Sequence, residues 1–211
     1  MQKRIAILAS GTGTVAQALL DASADDDLAG GRVVVVVSDR ADAGALARAR
    51  AAGVEALFVD SSAHADRLSY DRALMAALTE RSIDLVCLAG FMRILSPAFI
   101  ELFRDRAINT HPALLPAFRG AHAVRDALDW GAKVTGATVH FAYEEVDAGP
   151  VILQEAVPVL PGDDESSLHE RIKAVEHRLF PEAVRLFAAG RIAVRGRTVE
   201  VLDRLEVPAP R

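Results

Sequence analysis

An amide and an imidazole stand two residues apart in Asn109-Thr110-His111-Pro112, and a carboxylate, Asp147, lies in the later turn Val146-Asp147-Ala148-Gly149-Pro150. An amide N–H can hold negative charge developing on an oxygen, an imidazole can carry a proton near neutral pH, and a carboxylate can set the imidazole's charge. Together they suffice for transfer of an acyl-type group. On an extended chain residues two apart share a side, so Asn109 and His111 face the same way. Pro112 favours extended geometry for His111, which places its ring at a strand end. A nearby Asp147 is expected to raise His111 toward its charged form at working pH.

These groups need elements to hold them, and the hydrophobic pattern supplies an α/β layout. Short β-branched runs alternate with helix-period segments, the mark of a mainly parallel, doubly wound sheet covered on both faces. Strands are expected at Arg4 to Ser10, Arg32 to Ser38, Glu55 to Val59, Ile83 to Leu88 and Arg106 to Asn109. The five consecutive valines from Val33 suit a strand buried on both sides. Helices are expected at Val15 to Ser23, Gly44 to Ala52 and Ala65 to Arg81. After Pro116 the rhythm changes to a helix near Ala123 to Trp130 and two strands, Lys133 to Tyr143 and Pro150 to Val159, whose short connection makes them antiparallel. A long helix, Glu165 to Ala188, broken or bent near Pro181, precedes a hairpin of Ile192 to Val194 with Thr198 to Leu202. Pro208-Ala209-Pro210 reads as a loose tail. With no repeat and no linker, a single domain is expected over 1–211: a phosphate-binding half (1–108), a catalytic half (109–190) and a C-terminal hairpin and tail (191–211).

In such a sheet, ligands sit beyond the carboxyl ends of the strands, and three motifs fall there. Ser10-Gly11-Thr12-Gly13-Thr14 turns from the first strand into a helix, where backbone amides and the helix dipole favour a phosphate. The bland reading is a tight turn with no ligand. A rival reading makes Gly11-x-Gly13-x-x-Ala16 a dinucleotide fingerprint with Asp39 on an adenosine ribose; Asp39-Arg40 also reads as a plain strand-end turn. Gly90-Phe91-Met92-Arg93-Ile94-Leu95 is an apolar loop without helical or strand period, suited to a flat aromatic ligand or simply folded onto the core. The Asn109–His111 segment is the third.

Composition excludes several classes. A net charge of −5 with no basic cluster argues against a nucleic-acid partner. No run of about 18 uncharged apolar residues suggests a membrane span, and no signal-type segment opens the chain, so a cytoplasmic enzyme is expected. The single cysteine, Cys87, excludes an internal disulfide and reads as a buried strand residue. His64, His111, His122, His140, His169 and His177 show no paired ligand spacing, so no metal is expected. Ser10 and Ser96 lack a nucleophile elbow. A hydrolase using the same Asn-His-Asp set, and a sensor that binds phosphate without turnover, both remain open. No heptad or isolated apolar stripe separates monomer from homodimer.

Taken in order, Ser10-Gly11-x-Gly13, Ala89 to Leu95, Asn109-x-His111-Pro112-x-Leu114-Leu115-Pro116, Thr138-Val139-His140-Phe141 and Val146-Asp147-x-Gly149-Pro150-Val151-Ile152-Leu153-Gln154 resemble the phosphoribosylglycinamide formyltransferases, a folate-dependent family serving purine synthesis. The resemblance covers nearly the whole chain. It implies a Rossmann-like formyltransferase fold and a formyl group passing from 10-formyltetrahydrofolate, as co-substrate, to glycinamide ribonucleotide. It further implies Asn109, His111 and Asp147 as catalytic, with Gly11, Thr12, Gly13, Thr14, Val15 and Glu176 on glycinamide ribonucleotide. On the folate side it implies Arg67, the Met92, Arg93, Ile94 and Leu95 loop, Asn109 and His140, and the segment Tyr143, Glu144, Glu145 and Val146. No regulatory domain like that of the related formyltetrahydrofolate deformylases is expected upstream of Met1. Two departures stand out. Thr14-Val15 replaces a usual Ser-Asn, removing one amide side chain from the phosphate turn. Phe118-Arg119-Gly120 replaces a usual aromatic-Pro-Gly and is similar to the methionyl-tRNA formyltransferase pattern.

Overall fold

The computed structural model describes residues 2–202; the expected Pro208–Pro210 tail lies outside the described residues. The chain runs β1 (Lys3–Leu8), α1 (Thr14–Ala24), β2 (Gly31–Ser38), α2 (Gly44–Ala51), β3 (Glu55–Phe58), α3 (Arg67–Glu80), β4 (Leu85–Leu88), α4 (Pro97–Leu102) and β5 (Ala107–His111). It continues through α5 (Ala123–Trp130), β6 (Val134–Phe141), β7 (Val151–Pro158), α6 (Glu165–Ala188), β8 (Ile192–Arg195) and β9 (Thr198–Val201).

Strands β1 to β7 form one sheet in the order β3-β2-β1-β4-β5-β6-β7, and β8 pairs with β9 in a separate antiparallel hairpin. Pairings among β1 to β5 are parallel, while β5–β6 and β6–β7 are antiparallel. The order reverses between β1 and β4, which opens the crevice where such sheets take ligands. Alternate residues face opposite cores. Ile5, Ile7, Leu85, Cys87 and Ile108 pack on the α1, α2, α5 and α6 side. Ala6, Leu8, Val86, Leu88 and Ala107 pack on the α3 and α4 side.

Two expectations about helices need correction. Pro97–Leu102 is a helix absent from the pattern reading, since six residues are too few to display a 3.6-residue period. Its start was nonetheless written in Ser96-Pro97: Ser96 Oγ accepts the Phe99 N–H at 3.3 Å, and Pro97 takes the first helical position. Of the break or bend expected at Pro181, the break is not found: α6 runs continuously from Glu165 to Ala188. Proline removes one N–H, and burial of Leu179, Phe180, Ala183 and Val184 around it outweighs that loss.

Candidate active site

Alternation along β5 decides which side chains meet. Asn109 and His111 follow Ala107 onto the α3/α4 face, and Thr110 follows Ile108 onto the α6 face. On β6, His140 lies directly across from Asn109 and faces the same way. Asn109 Nδ2 sits 3.2 Å from His140 Nε2. His140 Nδ1 is 2.9 Å from the Phe141 carbonyl, which can only accept, so Nδ1 carries the hydrogen and Nε2 receives the Asn109 amide.

The segment joining β6 to β7 folds back over these residues and lays Asp147 between the two imidazoles. Asp147 Oδ2 is 3.4 Å from His111 Nδ1, and its Oδ1 is 3.6 Å from His140 Nε2. The Gly120 N–H donates to Asp147 Oδ2 at 2.8 Å. Gly149 makes this fold-back possible: a Cβ there would lie 1.8 Å from the Phe141 carbonyl oxygen. His111 Nε2 donates to the Phe118 carbonyl at 2.8 Å. The segment after His111 is moored from below, with the Thr138 hydroxyl donating to the Ala113 carbonyl at 2.6 Å and Gln154 Nε2 donating to the Leu115 carbonyl at 2.7 Å.

Burial lowers the His111 pKa and outweighs the raising influence of Asp147 and the Phe118 carbonyl; His140 lowers it further. The expectation that Asp147 keeps His111 charged is therefore corrected. The carboxylate acts in the expected direction, but a histidine that is only 4% exposed loses more hydration than one partner 3.4 Å away returns. Burial also raises the Asp147 carboxyl, yet His140, the Gly120 N–H and His111 together hold it below its ordinary value. Asp147 is thus ionised beside a neutral imidazole whose free Nδ1 points toward it.

At the end of β1, Gly13 adopts φ +73° and starts α1 with no side-chain cap, leaving the first N–H groups of the helix for a ligand. A cleft of about 620 Å³ opens beside this loop, lined by Ser10, Gly11, Thr12, Arg40, Gly44 and Arg48. Arg48 Nε donates to the Thr12 carbonyl at 2.9 Å. Burial lowers the pKa of His177 on α6, with Lys173 and Arg48 acting the same way and Glu170 against them.

Behind β5, Thr110 Oγ1 donates to Glu176 Oε1 at 2.7 Å. Burial raises the Glu176 pKa, against the Thr110 hydrogen bond and Lys173. Beyond β4, Met92 is 73% and Ile94 59% exposed, an apolar surface standing free at the crevice. The Arg93 guanidinium lies 4.7 Å above the Tyr70 ring, and its Nη1 is 3.9 Å from Asp39 Oδ2.

Residues 3–184 match the sequence profile of the formyl transferase family. The chain belongs to that family. Phosphoribosylglycinamide formyltransferase of Mycobacterium tuberculosis (strain CDC 1551 / Oshkosh) is 50% identical over 195 residues, covering 92% of this chain and 89% of that protein. The human trifunctional purine biosynthetic protein adenosine-3 is 44% identical over 189 residues, which are 90% of this chain and 19% of that protein. The chain thus spans about a fifth of the first curated relatives it matches. Glycinamide ribonucleotide transformylase 1 from Symbiobacterium toebii has the same fold, with TM-score 0.93 and 52% identity over 96% of this chain and 95% of that one.

Within this formyl transferase fold, Asn109, His111, His140 and Asp147 come together in one buried group, and Gly11 to Val15 form the turn at the mouth of the crevice. Glu176 reaches the back of β5 through Thr110. Arg67 is exposed on the first turn of α3, three residues before Tyr70. Glu144, Glu145 and Val146 are exposed on the β6–β7 connection. The Tyr143 ring turns away from the cluster: its hydroxyl donates to Asp105 Oδ1 at 2.7 Å beneath Arg104, so its side chain anchors the connection.

Sequence reasoning missed Ser10 as a staple. Its hydroxyl donates to Asp39 Oδ1 at 2.6 Å and accepts from the Met92 N–H at 3.0 Å, tying the phosphate-type turn to the apolar loop. Asp39 is thereby engaged, which favours the strand-end reading over a ribose contact. The available signal was the Ser10 hydroxyl immediately before Gly11, which the sequence reading placed in the phosphate turn without a partner. Among the described residues no cluster of His, Cys, Asp or Glu is arranged to hold a metal ion, and no helix is long and apolar enough to cross a membrane.

Proposed function

We propose that this chain transfers the formyl group of 10-formyltetrahydrofolate to the amine of glycinamide ribonucleotide, giving formylglycinamide ribonucleotide in cytoplasmic purine (IMP) synthesis. One observation carries the reading: Asn109, His111 and Asp147 converge on one face of β5, flanked by an uncapped glycine turn and an exposed apolar loop. The turn, with Gly11, Thr12, Gly13, Thr14 and the Val15 backbone, suits a phosphate. Met92 to Leu95, with Met92 and Ile94 exposed, suits a flat pterin together with the 143–146 segment. Glu176 and Thr110 lie at the glycinamide end, with Arg67 and His140 toward the folate.

The amine attacks the formyl carbon, and a new C–N bond forms as charge moves to the formyl oxygen. The Asn109 amide donates to that oxygen. The amine's proton passes to neutral His111 at Nδ1, where the imidazolium is stabilised by Asp147 Oδ2. The folate nitrogen takes that proton as its bond to the formyl carbon breaks, and both products leave neutral at the reacting nitrogens. Low exposure of His111 keeps water from competing with the amine.

The test is loss of formyl-folate followed by absorbance, with and without glycinamide ribonucleotide. Transfer predicts donor loss only with the amine. Donor loss without it establishes a hydrolase, and intact protein that consumes no donor overturns the reading.

A further inference from the structure

The turn at 118–120 holds His111, Asp147 and the β6–β7 connection from three consecutive residues. The Phe118 carbonyl accepts from His111 Nε2 at 2.8 Å, the Gly120 N–H donates to Asp147 Oδ2 at 2.8 Å, and Arg119 Nη1 donates to Glu145 Oε1 at 2.7 Å. Two of these contacts fall on the proton-handling pair. The third ties the turn to the β6–β7 connection that carries Asp147. Both segments hold a non-glycine residue in the left-handed region where they meet, Phe118 at φ 52° and Asp147 at φ 53°. Such backbone is retained only where surrounding contacts over-determine it. Beside the Gly120 N–H to Asp147 bond, Arg119–Glu145 is the one link between two side chains from turn to connection among the described hydrogen bonds, and Glu145 lies two residues from Asp147.

We propose that Arg119 is a positioning residue for the catalytic pair: by holding Glu145 it keeps the 118–120 turn and the 145–147 segment in register, so that Asp147 stays against His111. The inference rests on the proposed role of His111 and Asp147 in moving the proton. The titratable and charged groups facing His111 are Asp147 from the connection and His140 from β6. Asp147 raises the His111 pKa, so loosening it moves His111 titration to lower pH, whereas His140 stays fixed in the β5–β6 pairing. The side chains of Arg119 and Glu145 are 36% and 75% exposed, so the link is a partly screened ion pair.

The experiment compares the wild-type protein with Arg119→Ala, Glu145→Ala, the double variant and the exchange Arg119→Glu with Glu145→Arg. Two readouts are used: turnover with formyl-folate and glycinamide ribonucleotide, and titration of the His111 ring by NMR. The expected result is an about fivefold fall in kcat for Arg119→Ala, the double variant no worse than the poorer single, and recovery in the exchange. His111 should titrate at lower pH in Arg119→Ala and return in the exchange. Unchanged His111 titration in Arg119→Ala overturns the proposal, as does a double variant whose losses simply multiply. Because the NMR readout needs no turnover, a wild-type protein that fails to transfer formyl would sink the functional reading while leaving the coupling separately decided.

Discussion

At the end of β1 the site presents backbone: an uncapped helix start, glycines and one guanidinium bracing a carbonyl. At the end of β5 it presents side chains drawn from β5, β6 and two connections, each with its charge set by burial and neighbours. The helix N–H groups of the first region are unsatisfied because α1 begins without a cap, while Arg48 of α2 braces the Thr12 carbonyl from a distant part of the chain. The second does not exist until β5, β6 and the β6–β7 connection are brought together, since Asp147 meets His111 from far along the chain. Under the proposed function the two regions should fail differently: damage to the turn is expected to lose binding, and damage to the cluster to lose turnover.

The sharpest break is at His111. His111→Ala should lower kcat about 100- to 10,000-fold, the usual worth of general acid–base catalysis, with KM for both substrates changed little. Steady-state kinetics checks it, and a raised KM with unchanged kcat would make His111 a binding group like those of the turn. The same region carries a pH signature. His111 accepts the proton when neutral and its pKa is lowered, so kcat/KM should hold steady above about 6.5 and fall as pH drops through the lowered value. Asp147→Asn removes the raising influence and should shift that fall to still lower pH while reducing kcat.

At the other end, Gly13→Ala should act on binding and stability. Its Cβ would lie 2.6 Å from the Ala45 Cα, and φ +73° costs an L residue about 1–2 kcal/mol. The expected outcome is a lower Tm and a raised KM for glycinamide ribonucleotide, with the formyl-folate KM nearly unchanged; equal change in both would erase the distinction between regions. The smallest effect on turnover is expected behind β5. Thr110→Val removes the hydrogen bond to buried Glu176 and should cost about 1–3 kcal/mol in denaturant unfolding, with kcat within a few-fold of wild type.

Local chemistry made much of this molecule legible. The valine run marked β2, Ser10-Gly11-Thr12-Gly13 marked the turn, and Asn109 with His111 shared a face because a strand repeats every two residues. Helix α4 was missed because its signal was a cap without a period, and a break at Pro181 did not follow because propensity ignores burial. The sign of Asp147's influence on His111 followed from charge alone, while the net lowering required knowing how deeply the ring is buried.

The order of residues by itself determined the α/β class, the glycine turn and the presence of an amide, an imidazole and a carboxylate of the kinds that acyl-type transfer needs. Only the tertiary structure decided that Ser10 staples two loops, that Tyr143 faces Asp105, that Thr110 holds Glu176, and that the 118–120 turn grips His111 and Asp147 together. The reason is physical. Turns and strand faces depend on nearest neighbours along the chain, whereas desolvation and long-range hydrogen bonds depend on which distant segments the folded sheet brings within about 3 Å.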